Sequence, residues 1–166
     1  MRVSSMRNST PFLLAGGLIA APAAAAGTIN VTIPQLKVAE YHRPYVAVWL
    51  EPAGGGAIRT LATWYEVKKG GNEPGTKWLS DLRAWWRKGG KSMKMPADGI
   101  SGATRAPGTH AIPLPADLKP GNYVLNVEAA RETGGRELVT VPISVPAKAA
   151  KAAGKTELGA ITLSAR

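Results

Sequence analysis

The apolar positions along this chain fall mostly two residues apart. Thr28 to Ile33 alternates around Ile29, Val31 and Ile33, the period of a strand with one buried face. Tyr45 to Leu50 (Y-V-A-V-W-L) is a run of β-branched and aromatic residues, and Gly54-Gly55-Gly56 separates it from Ile58 to Glu66 (I-R-T-L-A-T-W-Y-E). Two such runs around a Gly-rich connection predict a hairpin. Pro120-Gly121-Asn122 opens a further strand, Tyr123 to Ala129. Gly134-Gly135 turns that strand into Glu137 to Val145, where Pro142 predicts an edge strand or a bulge. Leu158 to Leu163 offers a closing strand.

The period changes once. In Lys77 to Lys88 (K-W-L-S-D-L-R-A-W-W-R-K), Trp78, Leu82 and Trp85, with Leu79 and Trp86, recur at three- and four-residue spacing. This predicts a helix near 77–88 with a single apolar face, on which Trp85 packs against the sheet. Thr76 is its candidate cap, and Arg87, Lys88 and Gly89 suit its end. Gly90 to Pro120 reads as a long irregular stretch, and loops of that length inside a compact domain tend to be functional. Lys148 to Lys155 (K-A-A-K-A-A-G-K) reads as an exposed connection. About seven strands and one inserted helix predict an all-β fold, most simply an immunoglobulin-like antiparallel β-sandwich.

Composition then narrows the setting. Arg2 and Arg7 precede an apolar run from Pro11 to Ala21, followed by Pro22-Ala23-Ala24-Ala25-Ala26. This is the pattern of a secretory signal peptide over residues 1–26, cleaved after Ala26, which predicts a periplasmic protein. The run is shorter than the ~20 apolar residues that a membrane span needs. Residues 27–166 then form a single domain. There is no Cys, so neither disulfides nor thiol chemistry contribute. The formal charge of +10 falls to +8 when Arg2 and Arg7 leave with the signal. Export and the dispersal of Lys and Arg argue against nucleic acid. An anionic cofactor, a membrane surface or an acidic protein is the better partner for such a balance.

Within the long loop lies Asp98-Gly99-Ile100-Ser101-Gly102-Ala103-Thr104. D-x-x-S-G-A-T resembles the covalent flavin attachment signal, in which a periplasmic flavin transferase moves FMN from FAD onto the hydroxyl of the final Thr. The resemblance implies FMN on Thr104. Asp98, Ser101, Gly102 and Ala103 would form the recognition signal, Asp98 would orient the loop or assist Mg²⁺ on the transferase, and Arg105 with Lys91 and Lys94 would balance phosphate charge. Trp85 or Trp86 is the candidate to stack on the flavin ring, with core packing the competing role for both. His42 and Arg43 could approach the loop. After Thr104 the chain continues Arg105-Ala106-Pro107-Gly108, unlike the usual FMN-binding domain, so the host fold differs.

A second resemblance spans nearly the whole mature chain. Tyr41 to Glu51, Arg59 to Tyr65, Lys77 to Arg87, Asp98 to Gly108 and Pro120 to Glu132 look like the periplasmic domain-of-unknown-function family 2271. That likeness implies association with flavin transferases and with membrane redox proteins of the PepSY type. The expectation is an electron carrier, not itself an enzyme and not membrane-spanning. Two other functions compete with it. One is a cofactor-free interaction or binding module. The other is a copper carrier using Met93, Met95 and His110, since periplasmic Cu(I) sites use Met and His. Hydrolytic and zinc chemistry lack their motifs: there is no G-x-S-x-G, no H-E-x-x-H and no Cys.

Overall fold

A computed structural model describes residues 25–67 and 74–166; all but the last two residues of the expected signal peptide 1–26 lie outside the described residues. Two sheets face each other. Sheet A runs in the order β5 (Gly108–Leu114), β1 (Gly27–Ile33), β9 (Ala160–Ala165), β8 (Ala150–Ala153). Sheet B runs β4 (Ser101–Gly102), β3 (Arg59–Trp64), β2 (Tyr45–Pro52), β6 (Gly121–Ala130), β7 (Arg136–Val145). Alternate residues of both sheets interdigitate between them: Ile29, Val31 and Ile33 of β1 meet Val46, Val48 and Leu50 of β2 and Leu125 and Val127 of β6 in one buried cluster. The all-β sandwich expected from the two-residue period is thus present. Its likeness to immunoglobulin domains stops at the two packed sheets, because here β1 and β2 lie in different sheets, whereas the first two strands of the constant-type domain share one.

The continuous run of β2 has a structural reason. Val46, Val48 and Leu50 face the inter-sheet core, while Ala47 and Trp49 face outward into a second buried cluster with Tyr65, Leu79, Leu82 and Trp85. Sheet B is therefore covered on both faces, by sheet A within and by the helical segment outside. A strand buried on both faces reads as an unbroken apolar run.

The helix differs from its expectation in detail. Gly75–Asp81 is a 3-10 turn, Leu82 leaves helical geometry (φ −75°, ψ 71°), and α1 covers only Arg83–Lys88. Pro74 opens the segment without a side-chain cap, so Thr76 is not the cap. The cap of α1 comes from across the sheet. Glu128 of β6, fully buried, accepts Ala84 N at 3.0 Å on Oε1 and Trp85 N at 2.9 Å on Oε2. Arg136 Nη1 reaches the same Oε1 at 2.8 Å. A carboxylate at a helix start satisfies orphan N–H groups and the local dipole together. Gly89 ends the helix after Arg87 and Lys88, as expected.

The stretch 90–120 is more ordered than the sequence suggests. It holds β4 and all of β5, whose Ile112 and Leu114 point into the core. Pro113 interrupts the apolar signal there, and an edge strand tolerates it because one of its edges carries no partner. β7, with Pro142, is likewise at an edge and pairs with β6 without a bulge. The Lys148–Lys155 run is not merely a connection, since Ala150–Ala153 pairs with β9 and turns Ala150 and Ala152 onto the core.

Two further carboxylates bind the far end. Glu157, nearly buried, holds Arg131 through two bonds of 2.9 and 3.1 Å and accepts Gly135 N at 3.0 Å. Glu137 accepts the backbone N–H groups of Lys155, Thr156, Glu157 and Leu158. Burial alone would raise the Glu137 carboxyl, but those four donors outweigh it and hold it below the ordinary carboxylate value.

Two outcomes are expected. Glu128→Ala leaves two helix N–H groups and Arg136 without their acceptor and should lower unfolding free energy in urea by ~3 kcal/mol. Because Glu137 is held low in the folded state, its contribution is present above the unfolded carboxyl value and is lost as pH falls through the carboxylate range. Thermal melts of wild type and Glu137→Gln should therefore converge on acidification.

Candidate functional site

The motif begins in a turn that is tied to itself. The Ala97 carbonyl accepts Ile100 N at 3.2 Å and Ser101 N at 2.9 Å, and Ser101 Oγ accepts Ala97 N at 2.9 Å. Gly99 has φ 71°, a region that side chains with a Cβ rarely adopt. Asp98 and Gly99 are exposed on this turn. Ser101–Gly102 then runs parallel to β3, with Thr63 N donating to Ile100 O at 2.9 Å and Tyr65 N to Gly102 O at 3.0 Å. Ser101 thus has a local structural task that sequence alone did not reveal. Past this anchor, Ala103 is exposed and Thr104 half-buried, and the Thr104 hydroxyl has no hydrogen-bond partner among the described residues.

Trp64 lies beneath the motif. A Cβ placed on Gly102 would rest 3.4 Å from Trp64 Cδ1, so a residue without a side chain lets the backbone lie close to the indole. The Arg105 guanidinium sits 5.2 Å from the ring centroid, within cation–π range. His110 of β5 meets the same indole edge-on, centroids 5.6 Å apart at 71°, and its Nε2 lies 2.8 Å from the Ala106 carbonyl oxygen.

A cleft of about 700 Å³ opens beside this group, between β3 and β5. Leu61, Ala62, Trp64, Ile100, Ile112 and Leu114 form much of its wall, with Arg59 and Arg105 among the lining residues. The strand β4 pairs with β3 only at Thr63 and Trp64, so the outer edge of Arg59–Ala62 has no strand beside it. Leu61 is the extra residue of a bulge, because Val48 pairs with Ala62 and Trp49 with Thr60. Bulges gather next to sites where a strand stops pairing. Arg59 also forms a surface ion pair with Asp117 at 2.9 Å.

Other sequence candidates fall elsewhere. Trp85 is fully buried in the outer cluster, with Nε1 donating to Thr60 Oγ1 at 2.9 Å, and Trp86 packs against the same cluster. Neither lines the cleft, so the indole at the motif is Trp64 and not one from the helix. Trp64 escaped notice because it is a core residue of a strand run, and nothing in the run tells which core aromatic the motif will cross. Lys91 and Lys94 are exposed and do not line the cleft. Met93 and Met95 pack on the outer cluster, whereas His110 lies against Trp64, so the three copper candidates occupy two different environments.

His42 and Arg43 belong to a second cleft of about 400 Å³, which also includes Trp78, Arg83, Arg131 and Arg136. Tyr45 lines it too; burial pushes its phenol up to about 12, and the hydroxyl donates to Gly75 O at 3.1 Å. Thr133, on the wall of this cleft, has φ 53° at the third position of the Arg131–Gly134 turn, a place that favours Gly.

A model of the family described as "Predicted periplasmic protein (DUF2271)" matches residues 26–160, and the chain belongs to that family. The protein is periplasmic by that description. Among the described residues no helix is long and apolar enough to cross a membrane. No curated protein and no solved structure matches the chain.

Thr133→Gly should relieve the left-handed strain and, after the added chain entropy of Gly, raise stability by ~0.5 kcal/mol in urea melts.

Proposed function

We propose that this protein is a periplasmic electron carrier with FMN attached covalently to Thr104. The observation that carries the reading is the state of that residue. Thr104 has an unengaged hydroxyl on a segment that leaves the sheet just after an anchored turn, beside a cleft lined in part by two arginines. A transferase needs such a hydroxyl on chain that can be lifted into its own active site. The anchored Ser101–Gly102 pair would limit that movement to the residues beyond it.

Attachment joins Thr104 Oγ1 to the FMN phosphorus and breaks the pyrophosphate bond of FAD. AMP leaves, and the hydroxyl proton passes to a base on the transferase, where FAD and Mg²⁺ are bound. This chain then acts as substrate and not as catalyst. Its residues suit the group: Arg105 adjoins the attachment point, Arg59 lies on the same cleft, and cationic side chains favour a phosphodiester-like anion nearby. Asp98 and Gly99, exposed on the turn, are available for recognition together with Ser101, Gly102 and Ala103. When attached, FMN would supply reversible electron carriage, exchanging electrons with a membrane redox partner, such as one of the PepSY type, and an extracytosolic acceptor.

A second reading, a binding module without cofactor, draws on the other cleft, where Trp78 is 37% exposed beside several arginines. The intact mass of the protein produced in the periplasm with an active flavin transferase separates the two. The expected gain is one FMN less one water, lost in Thr104→Ala while the melting curve stays unchanged. An unmodified mass, with the transferase shown active on another target, would reject the carrier reading and favour the binding module.

A further inference from the structure

We propose that the cleft between β3 and β5 is a docking site for a planar heteroaromatic ring, with Trp64 as its stacking platform and Arg105 as the side chain that moves off the indole to admit it. The inference rests on the flavin reading above and says where the ring of that flavin lies.

Three independent features of the cleft converge on this ligand class. The first is its wall. Leu61, Ala62, Ile112 and Leu114 back it with apolar side chains while Arg59, Thr60 and Arg105 give it a polar side, a mixed lining that suits the apolar faces and polar rim of a planar heteroaromatic ring. The second is the backbone. Along Arg59–Ala62 the outer edge of β3 runs without a neighbouring strand, and Leu61 stands out of register in its bulge. A strand edge carries N–H donors and C=O acceptors in a row. A ring whose rim alternates ring nitrogens and carbonyls can use them where an aliphatic ligand cannot.

The third feature is the cover over Trp64. The indole is only 4% exposed, and the cation resting on it is the planar guanidinium of Arg105, a surface side chain with no ion pair among the described residues. Arg105 is exposed and its contact with the indole is a weak cation–π one, so a ring stacked in its place displaces it at small cost. Arg105 directly follows Thr104, so a guanidinium that swings off the indole stays next to the phosphate joined there. One side chain would thus close the platform when no ring is present and neutralise the tether when one is. The geometry also selects among indoles, since Trp85 and Trp86 pack on the opposite face of sheet B and Trp78 lines the other cleft.

The test uses flavin fluorescence, because an indole in contact with an excited isoalloxazine lends it an electron and takes it back, which quenches emission, whereas a phenyl ring does not. In protein whose intact mass shows one FMN, emission should be several-fold weaker than that of free FMN. It should rise several-fold in Trp64→Phe, with the mass unchanged and a cooperative melt retained at a lower midpoint because a core indole has been shortened, while Trp78→Phe leaves it quenched. Labelled wild type as bright as free FMN, or equal emission from wild type and Trp64→Phe, would overturn the proposal while leaving attachment intact. A chain that gains no FMN would fail the attachment reading instead. The cleft is then probed with lumiflavin added to Thr104→Ala protein. Saturable quenching that weakens in Trp64→Phe supports the site, and its absence rejects it. Arg105→Ala should strengthen lumiflavin binding if the guanidinium occupies the platform, and unchanged or weaker binding would reject that part of the proposal.

Discussion

The arrangement of sheet B depends on one buried carboxylate. Glu128 stands on the outward face of β6, where the strand's alternation would normally place a solvated residue, yet it has no exposure at all. Its two oxygens take the first N–H groups of α1 and the Arg136 guanidinium. A buried charge is costly unless every lone pair is engaged, so the site has few alternatives in geometry. That constraint fixes where the short helix begins and therefore where Leu82 and Trp85 meet Trp49 and Tyr65. A helix of six residues has no independent stability, and here tertiary contacts supply what its length cannot.

Three of the buried or half-buried carboxylates divide this work. Glu128 joins helix to sheet, Glu157 joins the β6–β7 turn to the β8–β9 connection through Arg131, and Glu137 gathers the N–H groups of that same connection. With no cysteine in the chain, these polar staples tie loops that a secreted protein of another kind would close with disulfides. They all lie away from the cleft beside Trp64. The motif end is held instead by a two-residue parallel pairing, backbone bonds to the Ala97 carbonyl and one serine hydroxyl, a lighter attachment.

Much of the fold was legible because sandwich strands repeat every two residues. The hairpin of β2 and β3, the hairpin of β6 and β7 and the closing β9 follow directly from that pattern. The strands that were not legible are edge strands. Pro113 and a sparse apolar run hid β5, and the alanines of β8 carry too little side chain to signal burial. The helix was visible as an apolar stripe, but its break at Leu82 was not, because the carboxylate that sets it lies 46 positions from that leucine, on another strand. At the site, the motif residues stood out by spacing, whereas Trp64 did not. Trp64 is a core residue, as its place in the strand suggests, and only the pairing of β4 on β3 shows that the motif passes over it.

Both long edge strands, β5 and β7, carry a proline, and the short edge strand β8 presents Lys151 outward. Proline and lysine at a sheet margin deny a second molecule the hydrogen bonds it would need to extend the sheet. The Arg59–Ala62 stretch of β3 carries neither proline nor lysine along its open edge and faces the cleft instead. Edges that resist sheet extension and the edge that opens on the cleft thus fall on different borders of the same molecule, so a substitution that loosened the mouth of the cleft would put the protein's colloidal behaviour at risk.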